Sequence, residues 1–231
     1  MSRIHGGAVI RQTLAVYKDQ AIVWLPYSIL VFGVAGILAA ILVSVSPSMV
    51  YISFLVSDIA IAVFTAIAVG LVADGQRDRS HSDVGETLGR VTPVFGRVML
   101  VALVTGVVVF LGFVVLVVPG LVLATVWSVA VPVVVRERPS GLRALGRSRE
   151  LVRGNGWSVF WVIFVTIFVV GLVTSGADLA ANSASSVGGI VIRILLEILA
   201  APVGAFASVV LYLHLSAGGS GVPSSGELSS A

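Results

Sequence analysis

From Ala21 to Val45 the chain carries no charged side chain, and apolar runs of this kind recur along its whole length. The hydrocarbon core of a bilayer is about 30 Å thick, so a helix of roughly 20 apolar residues crosses it. That rule marks out Ala21 to Val45, Met49 to Ala73, Val98 to Val118, Leu121 to Val135, Trp157 to Leu179 and Ile190 to Leu215. The fourth run is short, since roughly 15 residues at 1.5 Å each reach about 22 Å. It either borrows residues across Pro119-Gly120 or starts below the outer surface, with a Pro-Gly break at membrane depth between helices three and four.

The basic residues fix how often the chain crosses. Arg3, Arg11 and Lys18 precede the first run, and Arg77, Arg79, Arg90 and Arg97 lie between the second and third. Arg136, Arg138, Arg143, Arg147, Arg149 and Arg153 fall between the fourth and fifth, which leaves Arg193 alone of the 14 basic residues. Connections rich in Lys and Arg stay in the cytoplasm. The intervening connections, Ser46 to Ser48, Pro119-Gly120 and Ala180 to Gly189, carry no basic residue. Six crossings with both termini in the cytoplasm satisfy this alternation, and losing one would carry a basic connection outside. The expected architecture is an all-α membrane domain over residues 1–216 in a bacterial plasma membrane, built as three hairpins. A flexible Gly/Ser-rich cytoplasmic tail follows at 217–231.

Composition excludes several classes of function. Hydrophobic residues make up 58% of the chain and charged ones 11%, with mean hydropathy +1.10, so a soluble globular domain is ruled out. A net charge of +3 and a pI near 9.8 do not point to nucleic acid, because the basic residues flank apolar runs where anionic lipid headgroups attract them. The chain has no cysteine, which removes disulfides, thiol catalysis and thiolate metal sites together. The N-terminal segment lacks the short apolar region and cleavage site of a signal peptide.

Each basic segment resembles the others. A short helix-compatible stretch precedes a pair of spans in IRQTLAVYKDQAIVW from Ile10, VGETLGRVTPVFGRV from Val84 and LRALGRSRELVRGNGW from Leu142. This predicts a threefold unit of interfacial helix plus hairpin. In the third copy Leu142, Leu145, Leu151 and Val152 form an apolar strip with arginines around it, the pattern of an amphipathic helix in the headgroup plane. Its Arg143, Arg147, Arg149 and Arg153 are candidate ligands for lipid phosphate, or else a solvated face that only enforces topology. Gly154-Asn155-Gly156 should end that helix, and Trp157 and Trp161 re-enter the membrane as aromatic anchors.

Four ionisable residues fall inside the apolar runs: Asp58, Asp178, Arg193 and Glu197. Each costs roughly 2.5 to 3.5 kcal/mol near a span centre, so each needs a partner or a function. Asp178 and Arg193 sit at opposing helix ends and are expected to pair, while Glu197, one turn from Arg193, can share its guanidinium. Asp58 lies near mid-membrane. These four form either a structural polar cluster or a path for a proton or cation. Small residues at Ala62, Ala66, Gly70 and at Ala200, Gly204, Ser208 predict close helix packing, and Pro202 predicts a kink. Asp78, His81 and Asp83 match no metal-ligand spacing, and no phosphate loop, GxSxG or HExxH occurs, so neither an enzyme of familiar type nor a cofactor or metal is expected.

The run PGLVLATVWSVAVPVVV from Pro119, then Ala144-Leu145, Arg147-Ser148 and ELVRGNGW from Glu150, resembles a signature of bacterial polytopic proteins of the glycerophosphoryl diester phosphodiesterase membrane-domain type and related integral membrane proteins. The resemblance covers about 40 residues and implies a six-span helical domain. The acidic residue it places after the second proline run corresponds to Glu137. In phosphodiesterase members the chemistry belongs to a separate soluble barrel, for which this chain has no room. Two readings stand. One is a non-enzymatic membrane module that binds lipids, anionic ones among them, or an unidentified membrane protein partner; the other is a small transporter or channel with a polar path through the membrane.

Overall fold

Where no water reaches the backbone, a spanning segment must satisfy its own N–H and C=O groups, and a helix does so within one segment. The computed structural model describes residues 6–75, 89, 92–139, 142–183 and 186–217. Every regular element among the described residues is helical. In chain order these are α1 (Gly6–Asp19), α2 (Ala21–Val45), α3 (Val50–Gly75), α4 (Phe95–Val115), α5 (Val117–Val126), α6 (Ala130–Glu137), α7 (Arg143–Val152), α8 (Gly156–Ser183) and α9 (Ser186–Ala217). Short 3-10 turns at Pro47–Met49 and Thr92–Val94 lead into α3 and α4.

Among the described residues six spans are long and apolar enough to cross a membrane: Ala21–Val45, Val50–Ala73, Thr92–Val115, Val117–Glu137, Gly156–Gly176 and Gly188–Ala217. The chain is therefore a multi-pass membrane protein. The fourth span is α5 and α6 together, and it does borrow residues from across Pro119-Gly120. Its break lies elsewhere than expected. The backbone turns at Leu116, which is extended (φ −162, ψ 144), and Pro119-Gly120 lies inside the first turn and a half of α5. The reason is local: a proline in the first turn forfeits an N–H that has no partner there anyway, so Pro119 starts a helix instead of interrupting one. Gly120 lets α4 and α5 approach closely. A Cβ on Gly112 would stand 2.9 Å from the Gly120 Cα, closer than a side chain tolerates.

Between α5 and α6 the span breaks again at Trp127–Val129, just ahead of Pro132. Pro132 cannot donate to the carbonyl of Ser128, and its ring crowds that turn. One carbonyl near the break, that of Val126, accepts from the Ser148 hydroxyl of α7 at 2.8 Å. The next helix in the chain thus caps the interruption.

Helices α3 and α9 lie innermost: about half or more of each is buried, whereas α2, α4 and α8 expose most of their surface. Small side chains make this possible. Ala62 and Ala66 on α3 and Ala200, Ala201 and Ala205 on α9 are buried, and the two helices pack against each other as their small-residue stripes predict. Phe206, fully buried on α9, is the hub of the aromatic core. Its ring meets those of Tyr17, Trp24 and Phe64 at 6.5, 6.2 and 6.1 Å, so one side chain joins α1, α2, α3 and α9.

Pro202 sits inside α9, which runs unbroken from Ser186 to Ala217. It removes the donor that would serve the carbonyl of Ile198, next to that of Leu199. Both carbonyls are served from other helices. Ser28 Oγ of α2 donates to Ile198 O at 2.6 Å, and Tyr17 Oη of α1 donates to Leu199 O at 2.9 Å. Helix α1 is therefore docked on the bundle, with Val9 and Thr13 buried, instead of lying loose beside it. The middle copy of the short helix falls on residues 84–91, all but residue 89 of which lie outside the described residues, as do residues 218–231 of the tail.

Candidate functional site

Asp58 stands on α3 where that helix packs against α4. Its carboxyl occupies the space that a side chain at residue 106 would need: a Cβ on Gly106 would lie 2.8 Å from Asp58 Cγ and closer still to Oδ2. Glycine at 106 thus makes the pocket in which the carboxyl rests. Asp58 Oδ2 is buried with no hydrogen-bond partner, and so is Thr105 Oγ1 on the facing helix. Two orphaned polar oxygens on apposed helices, in an apolar span, are uncommon, because a buried polar group without a partner costs about 1–3 kcal/mol.

Glu197 meets the neighbouring residue of α3. Ser57 Oγ donates to Glu197 Oε1 at 3.3 Å, which links α3 to α9 one residue before Asp58. Successive residues of a helix point about 100° apart, so Ser57 serves the α9 side and Asp58 the α4 side. Arg193 is exposed, one turn before Glu197 on the same helix. Asp178 lies in α8, and its side chain is outside the described residues.

The arginine-bearing helix α7 is pinned to the bundle. Its apolar strip is Ala144, Leu145, Ser148 and Val152, all buried. This differs from the expected strip, because Leu142 is 54% exposed and Ala144 and Ser148 are covered. The face packs on α5, α6 and α9 and so meets protein, not headgroups. Arg147 is held by two carboxylates: Nε donates to Glu137 Oε2 at 3.0 Å and Nη1 to Glu150 Oε2 at 3.3 Å. The hydrogen bond to Glu137, and then that to Glu150, hold its guanidinium further toward the charged form, against a smaller opposing effect of burial. Tyr212 Oη donates to the other Glu137 oxygen at 3.3 Å, and Arg97 donates to the carbonyl of Arg138, the left-handed residue that ends α6. Cations at a helix C-terminus are favourably placed. Arg143, Arg149 and Arg153 are exposed.

Gly154 takes φ +94 just past the end of α7, as the glycine-rich stop predicts. Of the four arginines named from the sequence, one is engaged by acidic side chains and three face outward from a fixed helix. Sequence reasoning noted Glu137 only through a family resemblance and missed its tie to Tyr212. It also missed Thr105 and the Ser148 cap. The signal for the cap was present: a serine one residue past Arg147 on the apolar face of an amphipathic helix is out of place unless it hydrogen-bonds.

Among the described residues no three His, Asp or Glu side chains gather where a metal ion would sit. No protein-family model, curated protein or solved structure matches this chain.

Proposed function

We propose that the protein is a non-enzymatic multi-pass module of a bacterial plasma membrane that holds anionic lipid, or a membrane protein partner, at the cytoplasmic surface. In this reading the spans form three hairpins with short helices α1 and α7 at the inner face and both termini in the cytoplasm, and the placement of the basic residues supports it. The observation that carries the reading is the seating of α7: Ser148 on Val126 O and Glu137 on Arg147 fix the helix, leaving Arg143, Arg149 and Arg153 exposed on a rigid frame. A guanidinium binds phosphate in a bidentate way, and a fixed helix lowers the ordering cost of that contact.

Native mass spectrometry of the purified protein tests it. Phosphatidylglycerol should be retained over phosphatidylcholine, and Arg143→Gln/Arg149→Gln/Arg153→Gln should abolish the preference. Equal retention of the two lipids by the unaltered protein contradicts it.

A transporter or channel remains the second reading, supported by the unpartnered oxygens of Asp58 and Thr105 on facing helices. Proton- or cation-driven flux into proteoliposomes, lost in Asp58→Asn, is its test; absence of flux for both proteins removes it.

A further inference from the structure

One face of α8 carries a continuous column of aromatic rings. Trp157 stacks on Phe160 at 5.2 Å, Phe160 on Phe164 at 5.9 Å and Phe164 on Phe168 at 6.3 Å, with Trp161 set edge-on against Trp157 and Phe164. The column is open: Trp157 is 71% exposed and Phe168 62%. It is also bounded. From Trp157 to Phe168 the helix rises about 16 Å, roughly half of a 30 Å hydrocarbon core, so the rings span the depth of one leaflet and stop. Interfacial anchoring needs one or two such rings at the headgroup level. A stack running to mid-membrane does something else. By contrast, the exposed face of α2 is lined by Ile22, Ile29, Leu30, Val34 and Ile37, with no such column.

The headgroup end of the column is positively charged. Arg153 ends α7, Gly154 turns the chain at φ +94, and Trp157 follows in the first turn of α8; Arg149 lies one helical turn before Arg153. Both arginines are exposed, as is Arg147, whose guanidinium the carboxylates of Glu137 and Glu150 hold.

We propose that the α7–α8 corner is a site for a single anionic phospholipid of the inner leaflet, its phosphate on Arg149 and Arg153 and one acyl chain laid along the rings from Trp157 to Phe168. This rests on the reading that the exposed arginines hold lipid phosphate, and adds where the lipid lies. Charge complementarity selects the headgroup, and the length of the column matches a chain of one leaflet.

Tryptophan fluorescence of the full chain in phosphatidylcholine nanodiscs, titrated with chain-brominated lipid, tests the proposal. Brominated phosphatidylglycerol should quench at roughly tenfold lower mole fraction than brominated phosphatidylcholine. The difference should vanish in Arg149→Gln/Arg153→Gln. It should vanish also in Trp157→Phe/Trp161→Phe, where Trp24 and Trp127 report alone, and inorganic phosphate should leave it unchanged. Coincident quenching curves in the unaltered protein overturn the proposal, as does a difference that survives either double substitution or is abolished by inorganic phosphate. If the curves coincide while mass spectrometry still shows arginine-dependent lipid retention, the chain path is wrong and the headgroup reading stands.

Discussion

Ser28 Oγ donates at 2.6 Å to the carbonyl of Ile198, which Pro202 deprives of its own helix's donor. The proline in α9 and the seating of α2 are thus one feature. Ser28→Ala leaves a buried acceptor unserved and is expected to destabilise the fold by about 1–2 kcal/mol in reversible unfolding from mixed micelles. In a Pro202→Ala background the main-chain donor returns, so the same substitution should cost less than about 0.5 kcal/mol, a coupling that a double-mutant cycle measures. Equal cost in both backgrounds contradicts the assignment.

Tyr17 donates to the neighbouring carbonyl, of Leu199, and burial pushes its hydroxyl ionisation up from the ordinary value. A group with a raised folded-state pKa contributes stability that is present below its unfolded pKa, about 10 for tyrosine, and is lost as pH rises through the folded value. The stability difference between the protein and Tyr17→Phe should therefore be flat up to about pH 9 and decline above about pH 10. A difference that grows with alkaline pH would reverse the sign and the explanation.

Gly106 admits the carboxyl of Asp58 between α3 and α4. Gly106→Ala forces the two apart and is expected to cost about 1–3 kcal/mol. With Asp58→Ala in place the methyl group has room, and the cost of Gly106→Ala should fall below about 1 kcal/mol. The check is thermal unfolding of the four proteins of the cycle.

Ser148 and Arg147 both tie α7 down, with different expected weights. Ser148 is buried and serves the carbonyl at the broken fourth span, so Ser148→Ala should cost about 1–3 kcal/mol. Arg147 is 45% exposed, so its ion pairs are screened and Arg147→Gln should cost less than about 1 kcal/mol. The ranking, read from unfolding midpoints at fixed lipid, is the test, and Arg147 outweighing Ser148 would contradict it.

The spans were legible because membrane crossing depends on length and apolarity, which a sequence displays directly. The fourth span needed the charge alternation as well, and its breaks at Leu116 and Trp127–Val129 lie three residues or more before Pro119 and Pro132, the residues a sequence offers as breakers. Partners across the bundle were not legible. Nothing near Ser28 in the chain points to Ile198, and Asp58 was singled out without Gly106, because that contact depends on a side chain that is absent. The α7 helix was read with the right character and an altered strip: in water or lipid Ser148 would be exposed, and only a neighbouring unserved carbonyl makes it a buried residue. Phe206, the hub of the aromatic core, was not singled out, since one phenylalanine in an apolar helix looks like any other.

The central claim is that the chain crosses six times and keeps its arginine-rich connections inside. The absence of cysteine makes the measurement direct. Single cysteines at Ser48 and at Arg149, probed in intact cells with a membrane-impermeant maleimide, should label at Ser48 at once and at Arg149 only after the membrane is opened. Labelling of Arg149→Cys in sealed cells, with Ser48→Cys protected, would contradict the account.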